Sequence, residues 1–170
     1  ILVTGGAGYI GSILVPRLLK NGYQITVLDN FMYRQNSLLE VCYHPNLNII
    51  VGDVRDEKLL ECEIGKYDII IPLAAIVGAP ACDKDQDLAL AVNQKQIENI
   101  SKWVSKNQRV IYPVTNSGYG IGQKGIICTE ETPLNPISYY GRTKVDGEKA
   151  LLKMGNAVTF RLATVFGTSP

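Results

Sequence analysis

The sequence predicts an α/β fold built on a doubly wound parallel sheet. Short β-branched runs alternate about six times with longer stretches of helical spacing. Those runs are nearly continuous in apolar residues, as strands covered by helices on both faces are. A glycine-rich turn, Gly5-Gly6-Ala7-Gly8, follows the first run directly. Right-handed crossovers then give the Rossmann arrangement, with ligands outside the carboxyl ends of the strands.

Residues 1–3 form the first strand, stopped at Gly5. Over 9–21, Ile10, Ile13, Leu14 and Leu18 recur at helical spacing, and Gly22 ends the helix as its C-cap. Pro16 removes one backbone bond there, at a cost of about 3 kcal/mol, and predicts a kink. A strand over 24–28 ends at Asp29, a short helix spans 36–42, and a strand over 48–51 ends at Gly52-Asp53. A short helix at 57–62 precedes a strand at 67–72 that enters Leu73-Ala74-Ala75. The longest helix spans 85–105, with Leu88, Val92, Ile100 and Val104 on one side; Trp103 belongs to the core. A strand at 109–114, a long loop at 117–137, a helix at 138–153 capped by Ser138, and a strand at 157–165 complete the order.

The 170 residues amount to one domain, 1–170, long enough to bury a core. Seventeen Lys and Arg against 16 Asp and Glu leave a net charge of +1. That bulk balance gives no electrostatic reason for a nucleic-acid or anionic-membrane partner. The uncharged stretch 69–82 is too short to span a bilayer and carries two prolines. The four cysteines, at 42, 62, 82 and 128, form no CxxC pair, and with no secretory signal they read as free thiols of a cytoplasmic protein. His44, alone of its kind, sits in a turn without ligand-type neighbours, so no metal site is expected. Ile1 opens inside an apolar run and 164–170 is loop-like, so a fragment of a longer chain is expected.

Three constellations carry chemistry. Gly5, Gly8 and Gly11 stand at GxxGxxG spacing between a strand and a helix. Gly5 permits the tight turn, Gly8 lets the backbone approach a pyrophosphate, and Gly11 lets helix and strand pack closely; the helix N-terminus then faces the phosphates. Asp29, ending the second strand, accepts hydrogen bonds from ribose hydroxyls and repels a 2′-phosphate, which favours NAD over NADP, with Arg34 nearby to soften the preference. Asp53 ends the third strand, within reach of an adenine or simply in a solvent-facing turn. Tyr140 and Lys144 lie four apart in a helix and share a face. A phenol, with a pKa near 10, serves as a base only if neighbouring positive charge lowers it. Thr115 and Ser117, after the fifth strand, place hydroxyls at the carboxyl edge of the sheet.

The set Thr4–Gly11, Asp29-Asn30, Asp53-Val54, Leu73-Ala74-Ala75, Thr115–Gly120 and Tyr140-x-x-x-Lys144 resembles the extended short-chain dehydrogenase/reductases, and within them the NAD-dependent nucleotide-sugar epimerase/dehydratase family. The loop Glu130-x-x-Pro133-x-x-Pro136-x-Ser138-x-Tyr140 adds to the likeness. The resemblance implies that Gly5, Gly8, Tyr9, Ile10 and Gly11 hold the pyrophosphate of NAD. Asp29 and Asn30 hold the adenosine ribose, and Asp53 and Val54 flank adenine. Leu73, Ala74 and Ala75 line the path to the nicotinamide ribose, and Asn93 stands near the active site and contributes to the cofactor site. Thr115 takes the place of the catalytic Ser or Thr. Tyr140 removes a proton from a sugar hydroxyl, and Lys144 binds the nicotinamide ribose and depresses the Tyr140 pKa.

Two departures matter. Sugar 4,6-dehydratases of the family follow the catalytic Thr with an Asp-Glu pair, where this chain has Asn116-Ser117. Thr164 stands where many members have an Asn against the substrate. The expected activity is therefore NAD-dependent epimerisation of a nucleotide sugar through a transient 4-keto form. A 4-keto reductase or 4,6-dehydratase is the alternative enzyme, and a non-catalytic dinucleotide sensor the alternative of another class. The resemblance further implies a homodimer and a substrate lobe beyond residue 170.

Overall fold

The computed structural model describes residues 1–122, 125 and 127–167. Strands β1 (Leu2–Thr4), β2 (Ile25–Asp29), β3 (Leu47–Val51), β4 (Ile69–Pro72), β5 (Arg109–Thr115) and β6 (Ala157–Leu162) form a single sheet in the order β3-β2-β1-β4-β5-β6. Every neighbouring pair is parallel. The order reverses between β1 and β4, and a crevice opens at such a switch point outside the carboxyl ends of the strands. This is the doubly wound sheet that the sequence predicts.

The sheet's two faces bury separate clusters. On one, Leu2, Leu28, Ile70, Val110 and Tyr112 pack against helices α2 (Glu57–Ile64), α4 (Gln86–Leu90), α5 (Gln96–Trp103) and α6 (Tyr139–Leu152). On the other, Val3, Val27 and Ile71 pack against Val15 and Leu19 of α1 (Gly11–Lys20). A Leu or Ile fully removed from water contributes about 2 kcal/mol, so the strand interiors hold the layers together. Val158 and Phe160 of β6 remain 44% and 49% exposed.

Local sequence explains most boundaries. Gly22 takes the left-handed φ of +82° just past α1, as its C-cap reading requires. Ser138 Oγ accepts from the Gly141 amide at 3.0 Å and starts α6 as predicted. Asp56 and Asp85 cap α2 and α4 in the same way. Where Pro16 predicts a kink, α1 continues as one helix, short of the bond that its missing amide cannot make. The helix expected over 36–42 shrinks to a 3₁₀ turn, Leu39–Val41, held by i→i+3 bonds. The helix expected over 85–105 is broken by a π-helical segment, Ala91–Lys95, between α4 and α5. An additional helix, α3 (Ala79–Lys84), was not expected; Pro80 near its start was the available signal. The loop expected over 117–137 begins inside a 3₁₀ turn, Asn116–Tyr119, and β6 stops at Leu162. Residues 123, 124 and 126 of that loop, and 168–170 of the terminal one, lie outside the described residues.

Candidate active site

A cavity of about 940 Å³ opens at the switch point. Gly5, Gly8, Tyr9, Ile10, Asp29, Asn30, Asp53, Val54, Leu73, Ala74 and Ala75 all line it, so most residues singled out from the sequence converge there. The ends of β1, β2, β3 and β4 thus meet around one cavity, as the fold's switch-point geometry requires.

The glycine loop is shaped by close approaches. Gly5 has φ +67°, and a Cβ on it would sit 2.5 Å from the Ala74 amide nitrogen. At Gly8 the nearest protein atom to such a Cβ is the Gly5 carbonyl, at 3.2 Å, and the remaining side faces the cavity. Gly11 differs from its sequence reading: its Cβ would strike the Gly6 carbonyl, so it closes the loop on itself and does not line the cavity. Close packing on the sheet falls instead to Gly6, whose Cβ would lie 2.8 Å from the Val27 side chain. The first turn of α1 holds no acidic residue and no side-chain cap, leaving its positive end available to an anion.

Asp29 fastens this loop to the end of β2. Its Oδ2 accepts from the Ala7 amide at 2.9 Å and its Oδ1 from the Phe31 amide at 2.8 Å. Each oxygen keeps a lone pair for a ligand hydroxyl. Asn30 donates to Asp53 Oδ2 at 3.1 Å, and Arg55 forks onto both Asp53 oxygens at 2.9 and 2.8 Å. Hydrogen bonding to the Arg55 guanidinium holds the Asp53 carboxyl down at about 2. Arg55 escaped the sequence reading, although a cation two residues after a strand-end carboxylate was a signal. Arg34 is solvent-exposed with φ +53°, one residue on from the cavity-lining Met32 and Tyr33.

The second half of the site lies under α6. Lys144 is 4% exposed, with its Nζ 4.0 Å from the centroid of the Tyr112 ring. Burial lowers its pKa to about 7, partly offset by the Glu148 carboxylate four residues on. The Tyr140 pKa is raised, first by burial and then by neighbouring Cys82, while a hydrogen bond with Thr115 pulls it down. Lys144, whose Nζ lies over the Tyr112 ring, is not among the groups that shift it. Thr115, 7% exposed, donates to Ser117 Oγ at 3.1 Å and caps the 3₁₀ turn.

Asn93 is 1% exposed and lies off the cavity. Its Oδ1 accepts from the Ile76 amide at 2.8 Å and its Nδ2 donates to the Ile76 carbonyl at 2.9 Å. Through these bonds it braces the loop after β4. Its carbonyl accepts from Tyr112 Oη at 3.3 Å, tying the π-helical segment to the floor beneath Lys144.

One more network went unread. Glu148, fully buried, accepts from Arg161 Nε at 3.1 Å and from Thr159 at 2.7 Å, and Arg161 donates on to Tyr119 Oη at 3.2 Å. It joins α6, β6 and the 3₁₀ turn. Its signal was the i,i+4 offset of Glu148 from Lys144. Among the described residues no cluster of His, Cys, Asp or Glu could hold a metal ion.

Residues 1–170 match the NAD dependent epimerase/dehydratase family throughout. The chain belongs to that family. It is 31% identical over 163 residues to the bifunctional UDP-glucose 4-epimerase and UDP-xylose 4-epimerase 1 of Pisum sativum, covering 85% of this chain and 44% of that one. Among solved structures, the Bordetella bronchiseptica enzyme WbmG in complex with NAD and UDP superposes with a TM-score of 0.83 at 31% identity, over 98% of this chain and 53% of that one. The dTDP-glucose 4,6-dehydratase DesIV of Streptomyces venezuelae, solved with NAD, superposes at 0.78 and 31% identity, over 88% and 49%. The chain therefore spans about half the length of the relatives it matches. Family membership agrees with the parallel sheet, the glycine loop and the strand-end carboxylates already described. Among the described residues no helix is long and apolar enough to cross a membrane.

Proposed function

We propose that this chain is the NAD-binding part of a nucleotide-sugar epimerase that works through a transient 4-keto sugar. The observation that carries the reading is the cavity walled by the glycine loop and Asp29; Tyr140 and Thr115, which share a hydrogen bond, and Lys144, one turn along α6 from Tyr140, stand outside its lining. The residues present fit the cofactor: Gly8 leaves the loop open toward the cavity, and Asp29 keeps lone pairs free at the ribose end. Gly5, Gly8, Tyr9 and Ile10 would hold the pyrophosphate, Asp29 and Asn30 the adenosine ribose, Asp53 and Val54 the adenine side, and Leu73 to Ala75 the path onward. Gly11 keeps that loop closed. When bound, NAD supplies a reversible two-electron acceptor.

The chain's own residues supply the rest. Tyr140, its phenolate favoured by the positive charge that a bound nicotinamide would bring, takes the proton from the sugar hydroxyl that is oxidised and returns it when the keto group is reduced. Thr115 holds that oxygen by a hydrogen bond. Lys144 contributes positive charge near the ribose, and its raised acidity makes that charge responsive near neutral pH. The Asp29 carboxylate disfavours a 2′-phosphate, which supports NAD over NADP.

Asn116 and Ser117 argue against dehydration, since neither offers a carboxyl group for elimination. The pea relative's UDP-sugars and the UDP bound to WbmG support a nucleotide sugar, and a UDP-sugar first. A homodimer in the cytoplasm is part of the same proposal.

A redox-neutral epimerase consumes no net NAD. The test is to follow nicotinamide absorbance while the full-length protein converts a UDP-sugar. Isomer formation without accumulation of NADH supports the reading. Stoichiometric NADH release contradicts it and moves the protein to the dehydrogenases.

A further inference from the structure

The loop after β4 decides where the glycine loop can sit, because the Ala74 backbone lies directly against Gly5. That contact leaves no slack: even a Cβ on Gly5 would reach 2.5 Å from the Ala74 nitrogen and 2.6 Å from its Cα. Residues at both ends and in the middle of the loop 73–76 are held by hydrogen bonds. The Leu73 amide donates to the Thr4 carbonyl at 2.8 Å, Asn93 grips Ile76, and Gln96 Nε2 donates to the Ala74 carbonyl at 2.6 Å. Among the described residues, the bond from Gln96 is the one the Ala74 carbonyl receives.

Gln96 is an odd residue for this place. It is 1% exposed, and its Nε2 is shared between the carbonyls of Ala74 and Val92 at 2.6 Å each. Its Oε1 is buried with no partner among the described residues. An orphaned buried acceptor costs stability, a cost that the two carbonyls served by Nε2 offset. What the position gains from an amide is the donor aimed at Ala74.

We propose that Gln96 is a positioning residue for dinucleotide binding, which fixes Ala74 against Gly5 and so holds the pyrophosphate-binding loop in its binding shape without touching the ligand. The proposal rests on the NAD reading above. It assigns the effect to the pyrophosphate end of the cavity, because Asp29 and Asp53 stand on other strands and have their own anchors in Ala7, Phe31 and Arg55.

The test is calorimetric titration of the full-length protein with NAD and, separately, with adenosine, alongside thermal unfolding. In Gln96→Met, which keeps the shape and removes both the donor and the orphaned acceptor, NAD affinity falls about tenfold, the value of one hydrogen bond. Adenosine affinity stays within twofold, and the variant remains folded at the titration temperature. Gln96→Asn, which keeps an amide but draws it back by one methylene, weakens NAD about as much and preserves the test if the Met variant does not fold. The proposal is overturned if a folded Met or Asn variant binds NAD like wild type, or if adenosine weakens as much as NAD. Failure of the underlying reading is separate and visible: wild type itself would then bind no NAD.

Discussion

The Lys144 ammonium lies 4.0 Å from the centre of the Tyr112 ring, inside the core and beneath the candidate catalytic tyrosine. The ring's face attracts the cation but does not replace the water it has lost, so burial lowers the lysine's pKa to about 7. The unfolded chain holds that proton up to about 10.4, so between the two values it binds more protons than the folded one. Stability therefore rises with pH from about 7 to about 10, and the penalty for charging Lys144 is fully present below 7. Urea unfolding of wild type and Lys144→Met across this range should differ in slope, with the rise reduced or absent in the variant. Equal slopes would mean that Lys144 is not buried as described.

Tyr140→Phe keeps the ring that packs on the core and removes the hydroxyl. Turnover should fall by about 10²- to 10⁴-fold, as for loss of a positioned acid–base group, while the affinity for NAD stays near wild type. Steady-state rates combined with NAD titration check both parts, and near-normal turnover would remove Tyr140 from the mechanism.

Gly5→Ala should cost more than about 1 kcal/mol, because φ of +67° disfavours any L side chain and the new methyl meets the Ala74 backbone. NAD binding should weaken with it, since the loop must shift to make room. Chemical denaturation and NAD titration of the same preparation give the two numbers. Alanine at Gly22, where a Cβ meets nothing within 4 Å but φ is also positive, separates the strain from the collision.

Glu148→Ala should destabilise the protein by about 3 kcal/mol, because it leaves the Arg161 guanidinium without the carboxylate that faces it. The same change removes the charge that supports protonation of Lys144, so any pH limb governed by Lys144 should move to lower pH. Thermal unfolding and a pH–rate profile of the variant test these two consequences.

The sheet was legible because its strands are short apolar runs punctuated by Gly, Pro and Asp, and because the crossover rule leaves few ways to connect them. The cavity's lining was legible for a related reason: Gly5, Gly8, Asp29 and Asp53 stand at or just past strand ends, and the fold brings strand ends together. What the sequence left open depends on packing. The π-helical segment at Ala91–Lys95 leaves no mark in a hydrophobic period, yet it turns Asn93 toward Ile76 and away from the cavity. The separate roles of Gly6 and Gly11 depend on which backbone lies against each, and spacing alone does not carry that. The Tyr140 pKa is raised by burial, which an i,i+4 offset in the sequence does not disclose.

The most direct test of the central claim is product analysis. The full-length protein is incubated with UDP-, dTDP-, GDP- and CDP-sugars and limiting NAD, and the products are separated and weighed. The account predicts a product of unchanged mass and altered mobility from at least one UDP-sugar. A product lighter by one water would contradict it, and would show that elimination proceeds without carboxylates at positions 116 and 117.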